Sequence, residues 1–221
     1  MKKPIIALIL ICMMTTPGCF SSEVDLDDNL HGDPIEKSKR ANDFDLITSD
    51  NQSYNFAQET AGKVVIIAFL FTNCYDICPV VTYNLGTIHE SLNQSEIDSI
   101  EFLTITVDPW RDNTTVLNEW KQATTSNWTH LTINNLDEDS QELQELNNVW
   151  TNFDVGLQIE ENASNETSGR HHPGDYNIDH STGTIIIDHL GYQRVWWGDY
   201  DWIVDLVKED LLYLVSQIDE K

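Results

Sequence analysis

Apolar residues follow two rhythms along this chain, one continuous and one helical, and the two meet in Lys63 to Leu85, KVVIIAFLFTNCYDICPVVTYNL. Val64 to Phe71 is a near-continuous apolar run rich in Val, Ile and Phe, with Gly62 before it and Thr72-Asn73 after it. Such a run predicts a strand covered on both faces. Val81, Leu85, Ile88 and Leu92 then recur at helical spacing, which predicts a helix directly after the strand. Pro79 suits that helix's first turn, because the amide hydrogen it lacks has no partner there in any case.

The same reading extends to both sides. Phe44 to Thr48 and Tyr54 to Phe56, separated by Ser49-Asp50-Asn51-Gln52, predict a short hairpin leading into the central strand. Phe102 to Val107 predicts a second buried strand, ending at Asp108-Pro109-Trp110-Arg111-Asp112. Asn113 or Thr114 caps a helix carrying Val116, Leu117 and Trp120, and Thr129 to Ile133 forms a third strand. Leu143, Leu146, Trp150 and Phe153 make another helical stripe, and Glu160 to Asp175 is polar and reads as a loop. Thr184 to Asp188 and Gln193 to Trp197 pair about a turn at Gly191, and Asp201 opens a last helix with Ile203, Val207, Leu211, Leu214 and Ile218 facing inward. Strands alternating with helices and closing on an antiparallel hairpin predict an α/β fold. The expected architecture is a thioredoxin-like mixed sheet flanked by helices, with an N-terminal hairpin.

The N-terminus follows a different pattern. Met1-Lys2-Lys3 is basic, and Pro4 to Met14 is apolar but shorter than the roughly 20 residues that span a bilayer. Thr16-Pro17-Gly18-Cys19 resembles the cleavage box of a lipoprotein signal, with Cys19 as the lipidated first residue, although Thr16 stands where such boxes usually carry Leu. An uncleaved anchor and ordinary signal cleavage are the other readings, and all three place the body outside the cytoplasm, beside a membrane. Phe20 to Asn42 is polar and acidic, without an apolar period. The expected division is therefore a signal peptide over 1–19, a flexible acidic tether over 20–42 and one domain over 43–221.

A formal net charge of −25 on 221 residues repels phosphate backbones and argues against nucleic acid as a partner. It matches an acidic surface suited to salty surroundings. Of the four cysteines, Cys12 and Cys19 fall in the N-terminal segment, so the body holds only Cys74 and Cys78. That pair sits where the central strand hands over to its helix. Free backbone amides and the helix dipole favour thiolates at this position. The spacing puts both sulfurs on one side of a helical turn, near enough to share a metal or to form a disulfide, an inert structural pair being the plain alternative.

Two thiolates alone make a weak metal site, and a histidine is the natural third donor. His180, in Tyr176-Asn177-Ile178-Asp179-His180-Ser181, precedes the strand Thr184 to Asp188, and in thioredoxin-like folds the loop before this strand faces the cysteine turn. Asp179 is a candidate to orient its ring, the alternative being a solvated carboxylate. His171-His172 lies in the polar loop and is expected to be solvated, and His31, His89, His130 and His189 have no partner that the pattern identifies. Asp108 and Asp112 bracket Arg111 and suit capping and an ion pair near the site.

The segments FTNCYDICP, ITVDPWRD and YNIDHSTGTIIID resemble the signatures of the Sco/SenC family, the copper-binding assembly factors of cytochrome c oxidase. They occur in the family's order and spread over most of residues 43 to 218. The resemblance implies that Cys74, Cys78 and His180 bind one copper ion, as Cu(I), Cu(II) or both in turn. It also implies two partners, cytochrome c oxidase subunit II and a thiol reductant. Family members pass copper to the binuclear copper centre of that subunit or keep its cysteines reduced. The implied location is the outer face of the cytoplasmic membrane, held by a lipid or an N-terminal anchor.

Tyr75 stands where the family often has proline, while Asp76 keeps its place beside the site, and His189 replaces a usual proline in the later turn. Two thiolates and an imidazole form a soft donor set suited to copper. Only the neutral imidazole binds, so acid weakens the site, and a disulfide between the cysteines abolishes it. A thiol-disulfide oxidoreductase acting on client cysteines is the rival class, although its usual signature has two residues between the cysteines rather than three. A peroxide-reducing relative would carry threonine where Phe71 stands, and a structural zinc site normally takes four protein ligands.

Overall fold

In this computed structural model the described residues are 27, 29–35, 39–161, 176–181, 183–198 and 200–218. The N-terminal segment with Cys12 and Cys19, and the His171-His172 pair, lie outside them. The chain runs through β1 (Asp33–Pro34), β2 (Asp45–Thr48), β3 (Ser53–Asn55), α1 (Phe56–Glu59) and β4 (Val64–Leu70). It continues with α2 (Ile77–Ser91), α3 (Gln94–Asp98), β5 (Ile100–Thr106), α4 (Thr114–Thr124), β6 (Thr129–Thr132) and α5 (Gln141–Asn152). The last part holds β7 (Leu157–Glu161), β8 (Tyr176–His180), β9 (Gly183–Ile187), β10 (Gln193–Gly198) and α6 (Val204–Ser216).

Every residue of β4 is buried, and alternation divides them between two cores. Val65, Ile67 and Phe69 pack with Leu143, Leu146, Val149 and Trp150 of α5. Val64, Ile66, Ala68 and Leu70 pack with Val81, Leu85 and Ile88 of α2 and with Val207, Leu211 and Leu214 of α6. The eight-stranded sheet runs β1-β10-β9-β4-β5-β6-β2-β3. β4–β5 and β5–β6 are parallel, while β4–β9 and β9–β10 are antiparallel. This is a mixed, thioredoxin-like α/β architecture, and it begins with the predicted hairpin, β2 on β3. Gly183 is required where β9 meets β10, since a Cβ there would lie 2.1 Å from the Trp196 ring nitrogen.

Three local expectations are corrected. Phe56 opens α1 instead of ending a strand, because Asn55 accepts the amide of Gln58 and caps a turn of helix. Ile203 is not an inward residue of the last helix. It occupies the extended N-cap position and is 55% exposed, so the buried stripe starts at Val207. Finally, the segments flanking residues 162–175 are strands and not loop, with β7 and β8 pairing antiparallel as a separate two-stranded ribbon.

Polar residues upstream of Asp43 also pack on the domain. β1 pairs with the edge strand β10, and Asp27 accepts from Tyr213 Oη at 3.0 Å and from Arg194 at 3.1 Å. The buried carboxylate of Asp210 takes the amide of His31 at 2.8 Å and the indole N–H of Trp197 at 2.9 Å. Polar bonds hold this stretch in place of the apolar stripe it lacks.

Candidate metal centre

The cysteine turn follows directly from the end of β4. β4 lies between β9 and β5 in the middle of the sheet, and from its C-terminal end the chain runs through the tight segment 71–76 before α2 begins. Asp76 occupies the N-cap of α2 but makes no capping bond through its side chain. Instead, the sulfur of Cys74 lies 3.4 Å from the amide nitrogen of Cys78 and takes the bond an N-cap oxygen would normally take. Asp76 is exposed, with its carboxylate 3.5 Å from Tyr200 Oη. Neither cysteine forms a disulfide, and Cys78 is fully buried while Cys74 is partly accessible.

This geometry makes Cys74 acidic. A hydrogen bond from the Cys78 side chain is the leading cause; burial opposes it, and the amides of Cys78, Asp76 and Ile77 add to it. The thiol falls from its usual 9.0 to about 6. Cys74 is therefore a thiolate at neutral pH, ready to bind metal or attack a disulfide. The pH profile of its alkylation by iodoacetamide, followed by peptide mapping, is expected to have its midpoint near 6. A midpoint near the usual 9.0 would contradict the assignment.

His180 ends β8, opposite Leu157 of β7. Its ring meets the edge of Phe71 with centroids 5.6 Å apart, and the Phe71 carbonyl accepts the amide of Cys74. The histidine and the cysteine turn thus share one residue as a common wall. Nδ1 of His180 lies 3.1 Å from the Ser181 carbonyl, an arrangement that leaves Nε2 for a ligand. Burial pulls the imidazole below its usual 6.5, against the opposing effects of that carbonyl and of the Asp179 charge, so it is neutral at pH 7. Asp179, next along the strand, projects to the opposite side and acts on the ring through its charge and not by a hydrogen bond. An open depression lined by Gly156, Leu157, Gln158, Asp179, His180 and Ser181 borders the imidazole.

Among the described residues no three His, Cys, Asp or Glu side chains stand close enough to hold an ion in this conformation. The two cysteines are joined by a side-chain hydrogen bond, while the imidazole stands on the ribbon on the far side of Phe71's contact. The remaining described histidines serve elsewhere. His130 is buried with Nε2 2.8 Å from Ser126 Oγ, His89 packs edge-on to Phe102, and His31 lies 3.0 Å from Glu209.

Beneath the site lies a polar cluster that the motif Asp108-Pro109-Trp110-Arg111-Asp112 only hinted at. Asp112 is fully buried and accepts the Thr72 amide at 3.1 Å, the Thr72 hydroxyl at 2.5 Å and the Thr106 hydroxyl at 2.6 Å. Burial pushes its carboxyl up to about 6, against those hydroxyl bonds and with help from the nearby Asp108 charge. Asp108, also fully buried, accepts from Tyr176 Oη at 2.5 Å and pairs with Arg111 Nε. The Arg111 guanidinium lies 3.9 Å from the centre of the Tyr176 ring and donates to the Tyr176 carbonyl at 3.3 Å. The aromatic and hydroxyl partners, Tyr176, Thr72 and Thr106, carried no sequence signal beyond their closeness to the motifs.

A cysteine in the turn after the central strand and a second on the first turn of the helix that follows belong to the thioredoxin-like class, and that is the class this fold and site define. Within that class the chain belongs to the SCO1/SenC family, the Sco-like copper proteins of cytochrome c oxidase assembly, whose profile matches residues 32–195. A SCO2-like protein of Rickettsia felis is 31% identical over 163 residues, which cover 74% of this chain and 70% of that one. Yeast Sco1 with copper bound superposes with a TM-score of 0.63 at 24% identity, over 80% of this chain and 89% of that structure. BsSco, a member of the Sco family of cytochrome c oxidase assembly proteins in which a disulfide switch was identified, gives 0.59 at 18% identity, over 84% and 98%. The two solved structures carry the likeness of fold.

Proposed function

We propose that this chain binds one copper ion through Cys74, Cys78 and His180 and serves, outside the cytoplasm, in assembling the binuclear copper centre of cytochrome c oxidase subunit II. The observation that carries this reading is the pairing of an acidic, accessible thiolate in the turn before α2 with a second thiol on that helix's first turn, together with a neutral imidazole that shares the wall of Phe71. Yeast Sco1, with this fold, holds copper. The donor set fits the ion: two soft sulfurs and one imidazole nitrogen suit Cu(I) and also hold Cu(II). Copper is the cargo. The sulfurs form the fixed part of the site, and the ribbon β7–β8, a sheet of its own, brings the imidazole to them.

Tyr75, Val80 and Tyr83 are exposed along the outer side of the cysteine turn and the first turns of α2. They offer the client an apolar landing face beside the metal. Membrane attachment through a lipid on Cys19 belongs to this proposal, as does a thiol reductant that keeps the pair open. Among the described residues no helix is long and apolar enough to cross a membrane.

The neighbouring thiols, not joined in a disulfide, also favour a second reading, reduction of a client disulfide. The Cys74 thiolate would attack one client sulfur, forming a mixed disulfide and releasing the other client sulfur as a thiolate. Cys78 would then attack Cys74, releasing the reduced client and leaving a Cys74–Cys78 disulfide for an external thiol to reduce. Anaerobic titration of the reduced chain with Cu(I) separates the two readings. One equivalent bound, and none after oxidation to the disulfide, supports the copper reading. No copper uptake, together with turnover of a disulfide substrate that survives His180→Ala, supports the other.

A further inference from the structure

The histidine and the cysteines come from segments far apart in sequence, and the loop 108–112 touches both. On one side, Asp112 takes the amide and hydroxyl of Thr72, two residues before Cys74. On the other, Asp108 takes the hydroxyl of Tyr176, and Arg111 lies across the Tyr176 ring and donates to its carbonyl. Tyr176 is the first residue of β8 and His180 the last. At the rise of an extended strand the two are about 13 Å apart, so Tyr176 is the root of the arm and His180 its tip. The loop itself is held to the sheet, since the Thr106 hydroxyl donates to Asp112 and receives the amide of Asp108, while Thr132 Oγ1 donates to the Asp112 carbonyl at 2.7 Å.

We infer that the Asp108–Arg111–Tyr176 cluster is a bracket that anchors the root of the β8 arm to the cysteine loop and thereby sets where the His180 imidazole meets the two sulfurs. Tyr176 and Arg111 are positioning residues for the metal site, acting through His180. This rests on the proposed role of His180 as a ligand. The chemistry favours a rigid root. A buried carboxylate bonded at once to a phenol and a guanidinium makes charge-assisted bonds, which are stronger and more directional than neutral ones. The guanidinium over the Tyr176 ring adds a contact that lysine does not reproduce. The tip is held by the Ser181 amide on the Gly156 carbonyl and the Gly156 amide on Ser181 Oγ, each at 2.8 Å, and by the pairing of His180 opposite Leu157. An arm fixed at its base and paired along its length confines the imidazole to a short arc.

The test uses two conservative variants, Tyr176→Phe, which keeps the ring and removes the hydroxyl, and Arg111→Lys, which keeps the charge and removes the planar fork. Cu(I) affinity is measured by competition with a colorimetric Cu(I) chelator, in each variant alone and combined with His180→Ala, with near-ultraviolet circular dichroism reporting the fold. Each single variant is expected to bind copper about tenfold more weakly, the loss usual for residues that orient a ligand. Neither is expected to weaken binding further once His180 is alanine, and the alkylation midpoint of Cys74 is expected to stay near 6. Wild-type affinity in both variants while His180→Ala binds poorly would overturn the bracket and leave the ligand assignment standing. Losses that add to that of His180→Ala would overturn it too, because the cluster would then act on the sulfurs or on the fold at large. Wild-type affinity in His180→Ala would remove the ligand assignment and the bracket with it.

Discussion

Cys78→Ser is expected to cost the chain its copper affinity while leaving its fold in place. The side chain is fully buried on the first turn of α2, among Val81, Leu85 and the apolar residues of β4. Serine is close to cysteine in size, so the packing survives. The chemistry does not, because a hydroxyl is a hard, weakly acidic donor and Cu(I) selects soft sulfur. A three-donor set reduced to one sulfur and one imidazole loses much more than the 10–100-fold typical of a second-sphere change. The expected loss in the Cu(I) competition assay therefore exceeds about a hundredfold. The serine hydroxyl can still donate to the Cys74 sulfur as the Cys78 thiol does, so the alkylation midpoint of Cys74 is expected to stay near 6. Copper affinity within tenfold of wild type would show that Cys78 is not a ligand.

The second large effect concerns the fold. Phe69 is 2% exposed in the middle of the sheet and faces the core shared with α5, its ring centroid 5.4 Å from that of Phe153. Phe69→Ala leaves a cavity bounded by strands on both sides, β5 parallel and β9 antiparallel to β4, which prevent collapse. Large-to-small changes of this kind cost about 3–5 kcal/mol. With a urea slope of about 1–3 kcal/mol per molar, the unfolding midpoint is expected to fall by more than about 1 M at unchanged slope. A shift under about 0.3 M would mean that the two cores do not meet at β4 as described.

How far the sequence alone reached depended on whether a signal was local. The unit β4–α2 was legible because burial on both faces writes itself as an unbroken apolar run, and one helical face as Val81, Leu85 and Ile88. The cysteine pair was legible for the same reason, being placed by that junction. The ribbon β7–β8 was not. Its residues alternate, but Asn177 and Asp179 face outward and the flanking stretch is polar, so the segment read as loop. The bond from Tyr176 to Asp108 joins residues 68 apart, a pairing that no periodicity encodes. Asp210 is similar, a carboxylate on an apolar helix face whose partners, the His31 amide and the Trp197 indole, come from opposite ends of the domain.

The imidazole's place against Phe71 came from the fold, and its contact with a metal is the claim on which the proposed function stands. X-ray absorption spectroscopy of the reduced chain loaded with one equivalent of Cu(I), compared with His180→Ala loaded in the same way, tests it most directly. Two sulfur scatterers and one imidazole nitrogen are expected at copper in the wild type, with the imidazole signal lost in the variant. A copper environment of sulfur alone, or one that His180→Ala leaves unchanged, would contradict it.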